Sequence, residues 1–437
     1  MKIFEYWNAD REIIEETALA ELQLERLRET VRQGLKTPFY SARLGDAGIT
    51  SGEDIRTLDD FKRIPYTTKD DLRQAYPDGL LAVERDEVVR LHTSSGTTGT
   101  PTVIYHTQRD LDNWTELLAR CIIATGARRG DVFQNMMTYG MFTGGLGLHY
   151  GAEKVGMMTI PIGGGNTVRQ LQIMKDFQST VLHITPSYML HINAAMIAEG
   201  YSRQDFNLKK VYMGGEPYSE STRIKIEEIY GVDAYNSYGL SEMNGPGVAF
   251  ECEVKNGMHI WEDAYIVEML EPGGGKTLKD GEDGELVMTT LCREATPILR
   301  YRTGDLTSIM TGECSCGRTH RRIARIKGRV DDMLIVNGVN MYPSQIESIL
   351  MKIPEVGTNY QICIDKKASI DRLTIKTEIC AGIFSGNSRQ LDDIRIRIRE
   401  KLKAGIIVNP VVELHEPGGL PVYEGKAKRV FDNRPKE

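Results

Sequence analysis

The densest chemical signal in the chain is the run Thr93-Ser94-Ser95-Gly96-Thr97-Thr98-Gly99-Thr100-Pro101. Its two glycines let the backbone approach a ligand closely, and its hydroxyls and N–H groups can wrap phosphate oxygens without a full positive charge. The run is a phosphate loop in chemistry. It is not a Walker A loop, because no Gly-Lys-Ser/Thr follows the first glycine at the required spacing. A second signal is Cys314-Ser315-Cys316, with Cys252 and His259 earlier in the chain. Three thiolates and one imidazole suit a tetrahedral Zn²⁺. Four protein ligands would leave no open position for catalysis, so the ion would tie a β-rich segment together. His320, just after Cys316, competes for the fourth place.

Further segments follow the phosphate loop in a fixed order. They are Gly214-Gly215-Glu216-Pro217, Tyr238-Gly239-Leu240-Ser241-Glu242, Tyr301-Arg302-Thr303-Gly304-Asp305, Gly328-Arg329-Val330-Asp331-Asp332 with Asn337-Gly338, and Gly425-Lys426-Ala427-Lys428-Arg429. In order and spacing these resemble the core motifs of the adenylate-forming acyl-CoA synthetases. The stretch from Tyr139 through Phe142, Gly144 and Gly145 to Gly147, with His259-Ile260-Trp261-Glu262, resembles the phenylacetate–CoA ligase branch.

The resemblance implies an ATP-dependent acid–thiol ligase that joins an aryl carboxylic acid to CoA through an acyl-adenylate, releasing AMP and pyrophosphate. On that reading Ser94, Ser95, Gly96, Thr97, Thr98 and Gly99 hold the β- and γ-phosphates. Glu242 is a catalytic carboxylate and a hard oxygen donor for Mg²⁺. Gly215, Glu216 and Pro217 line the adenine, with Tyr238 and Gly239 against its face. Asp305 accepts the ribose hydroxyls, and Arg329 bonds ribose or phosphate. Lys426 is the catalytic lysine, a point charge that meets the α-phosphate and the carboxylate. Asp331 matches the hinge, and Gly338 lies along the CoA path. Tyr139, Phe142, Gly144 and Gly145 combine flat apolar walls with room for a ring, and Tyr188 adds a wall. Cys252, His259, Cys314 and Cys316 are the zinc ligands. Thr100 and Val422-Tyr423 depart from the family pattern, where basic residues are common. Two rival readings remain: an enzyme with the same first half that delivers the acyl group to a carrier-protein thiol, and a nucleotide-binding regulator that retains ATP without turnover.

These residues need elements to position them. Residues 13–35 carry apolar positions at helical spacing (Leu19, Leu22, Leu27, Val31), which predicts an amphipathic helix packed on a larger body. Short apolar runs then alternate with helical patterns: 181–184, 188–199, 211–213 and 219–230. Such alternation predicts α/β layering. Residues 281–310 read as strands and turns of a β-rich subdomain. The last hundred or so residues hold helices over 344–351 and 391–403 and strands over 360–364 and 373–377. The expected fold is α/β: a large multi-layer α/β N-terminal domain over 1–329, with the β-rich subdomain, plus a small mobile α+β C-terminal domain over 330–437.

Composition narrows the partners. The chain has 437 residues, of which 41% are hydrophobic and 26% charged, with a formal net charge of −7, so it can bury a large core and lacks the basic footprint of a nucleic-acid binder. The charged N-terminus carries no secretory pattern, and the longest uncharged stretch, 132–152, is too rich in glycine and polar groups for a membrane span. Seven cysteines are too few for a disulfide framework. A cytoplasmic enzyme with small-molecule partners is expected; the oligomeric state stays open, a dimer included.

Overall fold

The predicted N-terminal helix forms as Glu16–Leu35, after a short helical turn Ala9–Glu12, and it buries Leu27, Thr30, Val31 and Gly34. This computed structural model describes residues 4–94, 100–367, 370–380, 383, 388–423 and 427–435. The chain divides into two compact units. The first is Met1–Gly163, Thr180–His183 and Tyr235–Ile326; the second is Gly164–Ser179, Ile184–Ala234 and Lys327–Glu437.

In the first unit the short apolar runs become parallel strands, Val132–Asn135 between Met158–Ile160 and Val181–Ile184. The last is buried at every position, as a strand covered on both faces must be. Strand Asp233–Tyr238 opens an antiparallel ladder that continues through Ala249–Glu251, Met258–Ile260, Arg322–Ile323 and Ile309–Met310. The expected β-rich segment is a meander of Tyr265–Leu270, Gly284–Thr290 and Tyr301–Thr307. The phosphate run lies between Arg90–Thr93 and Val103–His106, which pair antiparallel with Thr93 opposite Val103. Helices Gln108–Ala124 and Gly144–Val155 approach very closely. A Cβ on Gly147 would meet the Trp114 ring at 2.5 Å, and one on Gly151 would meet Leu118 at 2.6 Å, so these two glycines are packing surfaces.

The second unit begins with helices Thr167–Asp176, Pro186–Ala198 and Glu220–Tyr230 and the strand Lys210–Met213. Past Lys327, a four-stranded sheet has the order Val411–His415, Ile370–Ile379, Val356–Lys367, Val430–Asp432, its central pair antiparallel and its outer pairs parallel. Helix Ser388–Ile406 buries Ile394, Ile398, Leu402 and Ile406, one residue per turn. With Ile346, Ile362 and Ile375 these fill the core of this part. Asn337 and Gly338 both have positive φ, 51° and 79°, and turn Leu334–Val336 back onto Val339–Met341. A two-residue hairpin needs that backbone, and Asn-Gly supplies it at the least steric cost. The α/β class, with a large sheet-bearing part and smaller C-terminal elements, is as expected.

Candidate active site

In the first unit, three of the motif residues cluster by direct bonds. Strand Asp233–Tyr238 delivers Tyr238, and its hydroxyl donates to Asp305 Oδ2 at 2.6 Å, a length typical of a charge-assisted bond. Asp305 in turn takes its backbone position from strand Tyr301–Thr307, where its N–H donates to Thr303 Oγ1 at 3.0 Å. Past Tyr238 the chain turns sharply: a Cβ on Gly239 would lie 2.6 Å from the Gly245 Cα, so the loop closes only with glycine there. That loop carries Glu242 on the short turn Ser241–Met243, buried to 5% exposure. Glu242 Oε1 accepts the Thr102 hydroxyl at 3.3 Å. Ser94 closes the base of the phosphate run. Its N–H donates to Thr102 O, and its Oγ accepts the Thr102 N–H, both at 3.1 Å. Ser95, Gly96, Thr97, Thr98, Gly99 and Lys426 lie outside the described residues.

The second unit holds the other nucleotide motifs. Gly215 has φ +81°, a left-handed conformation that favours glycine. Glu216 Oε1 accepts the Ser187 N–H at 2.7 Å, and Oε2 accepts the Ala427 N–H at 3.0 Å. Burial pushes this carboxyl up, and the bonds from Ser187 and Ala427 oppose it. Pro217 follows, and both residues line a cleft of about 480 Å³ together with Asp331, Glu347 and Tyr360. Arg329 Nε donates to Asp331 Oδ1 at 2.9 Å, with Nη2 at 3.3 Å from Oδ2, so the guanidinium grips the proposed hinge carboxylate two residues on. A Cβ on Gly338 would meet nothing within 4 Å. Tyr188 is buried on helix Pro186–Ala198, its hydroxyl 3.1 Å from Thr167 Oγ1.

The ring-pocket candidates in the first unit are organised by Asn135. Its Nδ2 donates to the Tyr139 hydroxyl at 2.8 Å and to Gly145 O at 2.6 Å, while Oδ1 accepts the Met137 N–H at 3.2 Å. His183 Nδ1 stands 3.1 Å from the same oxygen, and Tyr139 Oη is 3.1 Å from His149 Nδ1. Burial pushes the Tyr139 phenol up to about 12 and the His183 imidazole down to about 3, so both are neutral near pH 7. Phe142 packs beside Gly144, where a Cβ would sit 3.0 Å from the ring. Gly145 needs a correction. The side-chain position it leaves open points at the Thr138 carbonyl oxygen, 2.7 Å away, so this glycine gives close backbone approach rather than ring volume.

The thiol cluster assembles from three places in the first unit: Cys252 after strand Ala249–Glu251, His259 on Met258–Ile260, and the turn bearing Cys314 and Cys316. The four ligand atoms lie within 4.8 Å of one another, all buried. His259 Nδ1 is 3.1 Å from His320 O, and its Nε2 is 3.4 Å from Cys316 Sγ. A metal-ligating histidine is commonly fixed in this way by a carbonyl behind it. His320, the rival, is taken: Nδ1 accepts the Glu262 N–H at 3.1 Å and Nε2 is 2.8 Å from Arg11 O. A bond from Cys252, reinforced by His259, holds the Cys316 thiol well below the usual range, so a thiolate is available. The donor set and its burial fit a structural Zn²⁺.

Sequence reasoning missed several members. Arg293, nearly fully buried, donates from Nη1 to Glu242 O at 2.7 Å and from Nη2 to Asn244 Oδ1, fixing the loop that carries Glu242. Asn135 and Thr102 are similar supports. No motif marks these residues: Thr102 and Arg293 meet Glu242 from 140 and 51 positions away.

The sequence matches the AMP-binding enzyme family over residues 44–292 and the AMP-binding enzyme C-terminal domain over 338–434. It is 43% identical to the phenylacetate-coenzyme A ligase of Thermus thermophilus, over 98% of this chain and 99% of that protein. It is 41% identical to the phenylacetate-coenzyme A ligase of Escherichia coli, over 95% of each. A solved 2-hydroxyisobutyryl-CoA ligase in the postadenylation state, in complex with 2-HIB-AMP, is 28% identical with a TM-score of 0.92, covering 98% of this chain and 92% of its own. With the motif order, the buried Tyr238–Asp305 pair and this full-length likeness together, the chain belongs to the phenylacetate–CoA ligase branch of the AMP-binding, adenylate-forming enzymes.

Proposed function

We propose that this enzyme activates an aryl carboxylic acid of the phenylacetate type with ATP and transfers the acyl group to CoA. In the first step a carboxylate oxygen attacks the α-phosphorus and the bond to pyrophosphate breaks. In the second the CoA sulfur attacks the adenylate carbonyl, the bond to AMP breaks, and the thiol proton leaves to solvent. The observation that supports this reading is the Tyr238–Asp305 bond, which orients a buried carboxyl group suited to accept ribose hydroxyls.

The remaining residues take roles consistent with their surroundings. Glu242, steadied by Thr102 and Arg293, would bind Mg²⁺, which supplies charge neutralisation at the phosphates when bound. Lys426 would neutralise charge at the α-phosphate, and the Ser/Thr run would hold the other phosphates. Tyr139, Phe142 and Gly144 would face the ring. Cys252, His259, Cys314 and Cys316 would hold a structural Zn²⁺. A boundary after residue 329, with Asp331 as hinge, would let the segment from 330 onward serve both steps. Among the described residues no helix is long and apolar enough to cross a membrane, and cytoplasmic location is part of this proposal.

The test is exchange of labelled pyrophosphate into ATP across a panel of aryl acids, followed by thioester formation with CoA. Exchange that depends on the acid and not on CoA, then an aryl-CoA product, is expected. Exchange with no aryl acid, or only when CoA is present, overturns the two-step reading, and loading of a carrier-protein thiol but not CoA overturns the acceptor.

A further inference from the structure

Residues 4–14 have little of their own to keep them folded. Their one helical piece, Ala9–Glu12, is a single turn, too short to stand without tertiary support. Of these residues Glu12 alone is buried, and it is a carboxylate, so no apolar face anchors the segment. Phe4 packs, partly buried, against the cluster of Cys252, Cys314 and Cys316.

The anchoring comes from polar bonds to the residues that follow the thiol turn. Tyr6 Oη donates to Cys316 O at 2.8 Å. Arg318 Nε donates to Glu12 Oε2 at 2.7 Å, with both side chains at most 1% exposed, and Nη2 donates to Glu5 O at 2.8 Å. The Thr319 N–H donates to Glu12 O at 3.1 Å and its hydroxyl to Ile14 O at 2.7 Å. His320 Nδ1 accepts the Glu262 N–H, which leaves the proton on Nε2 to donate to Arg11 O at 2.8 Å. Gly317 makes the room: its φ is +82°, and a Cβ there would lie 2.5 Å from the Tyr6 hydroxyl.

The same run of residues places the ligand atoms. Cys316 Sγ is 3.4 Å from His259 Nε2, and His320 O is 3.1 Å from Nδ1 of the same ring. The Gly317 N–H closes the turn on Cys314 O at 3.0 Å. Cys316 and His320 therefore face the thiol–imidazole centre with one group and the 5–14 segment with another.

We propose that residues 5–14 are a clamp on this centre: Tyr6, Glu12 and the Arg11 carbonyl hold the 316–320 run that places Cys316 and His259, so the clamp slows loss of the ion. The inference rests on the zinc centre proposed above and goes beyond it. Ion and clamp bind the same arrangement of that run, so by linkage loss of the ion loosens the clamp in return.

Tyr6→Phe and Glu12→Gln test it in the full-length, zinc-loaded protein, with Tyr40→Phe as control. The Tyr40 hydroxyl is also buried, but it bonds Thr67 and the Leu299 N–H, which take no part in the clamp. Transfer of zinc to an excess of a coloured chelator gives the release rate. Tyr6→Phe should release zinc about tenfold faster than wild type, as loss of a group supporting a metal ligand commonly does. Glu12→Gln should also release faster, and Tyr40→Phe should release at the wild-type rate; if Glu12→Gln does not fold, the milder Tyr6→Phe decides. Hydrogen exchange at the Thr319 amide reads the reverse direction: stripping zinc from the wild type should raise it, and refilling should restore it. Wild-type release in Tyr6→Phe, equal acceleration in Tyr40→Phe, or Thr319 exchange indifferent to zinc each overturns the clamp and leaves the zinc centre standing. A wild type that neither carries nor takes up zinc overturns the centre itself, and the clamp with it.

Discussion

Replacing Tyr238 with Phe tests the nucleotide site at its best-defined bond. The substitution removes one oxygen and leaves the ring in its buried setting. The lost bond is 2.6 Å long, runs to a carboxyl oxygen, and joins two residues that are each 8% exposed, so water screens it little. A hydrogen bond to a charged group contributes roughly 1.5–3 kcal/mol. Part of that loss falls on the free protein, because the bond exists without nucleotide. The rest appears in binding, because the carboxylate no longer points one way; about half the bond, or ~1 kcal/mol, corresponds to roughly a fivefold rise in KM for ATP. The ribose readout is more specific. Asp305 accepting a ribose hydroxyl should make the wild type prefer ATP over 2′-deoxy-ATP or 3′-deoxy-ATP by roughly ten- to a hundredfold in kcat/KM. Tyr238→Phe should shrink that preference, and Asp305→Asn should nearly abolish it. Steady-state kinetics with the three nucleotides at saturating acid gives the ratios. If Tyr238→Phe leaves both the ATP KM and the ribose preference unchanged, Asp305 is not the ribose acceptor.

Other consequences are equally direct. Purified protein should carry about one zinc per chain, and a Cys314→Ser/Cys316→Ser variant should carry none and unfold more readily; metal analysis showing no zinc in the wild type ends that assignment. Gly144→Val, which pushes a side chain into the Phe142 ring, should cut kcat/KM for aryl acids about tenfold or more while the ATP KM holds; an unchanged acid KM would move the pocket elsewhere. His183, held neutral by burial to about pH 3, binds no proton in the folded state at pH 5.5, whereas the unfolded chain does below about 6.5. Its contribution is therefore complete above pH 6.5 and declines by up to about 1.4 kcal/mol per unit as pH falls toward 3. Urea unfolding at pH 7.5 and 5.5 should show a smaller difference for His183→Gln than for wild type, and equal differences would remove His183 as the cause.

The sequence by itself determined whatever depends on near neighbours. Helix Glu16–Leu35 and helix Ser388–Ile406 were legible because a buried stripe repeats every turn. The motif order carried the family, since each motif is short and local. Tertiary structure alone decided how side chains were employed. Spacing left His320 as a rival to His259; the Glu262 N–H and the Arg11 carbonyl, which occupy both nitrogens of His320, come from distant segments. Gly145 looked like room for a ring until the Thr138 carbonyl was found in the way. The Glu216 carboxylate bonds the Ser187 and Ala427 N–H groups, partners that no local pattern in the sequence marks. A buried polar atom acts through whichever partner satisfies it, and in a folded chain that partner is commonly tens to hundreds of residues away, beyond the reach of any local pattern.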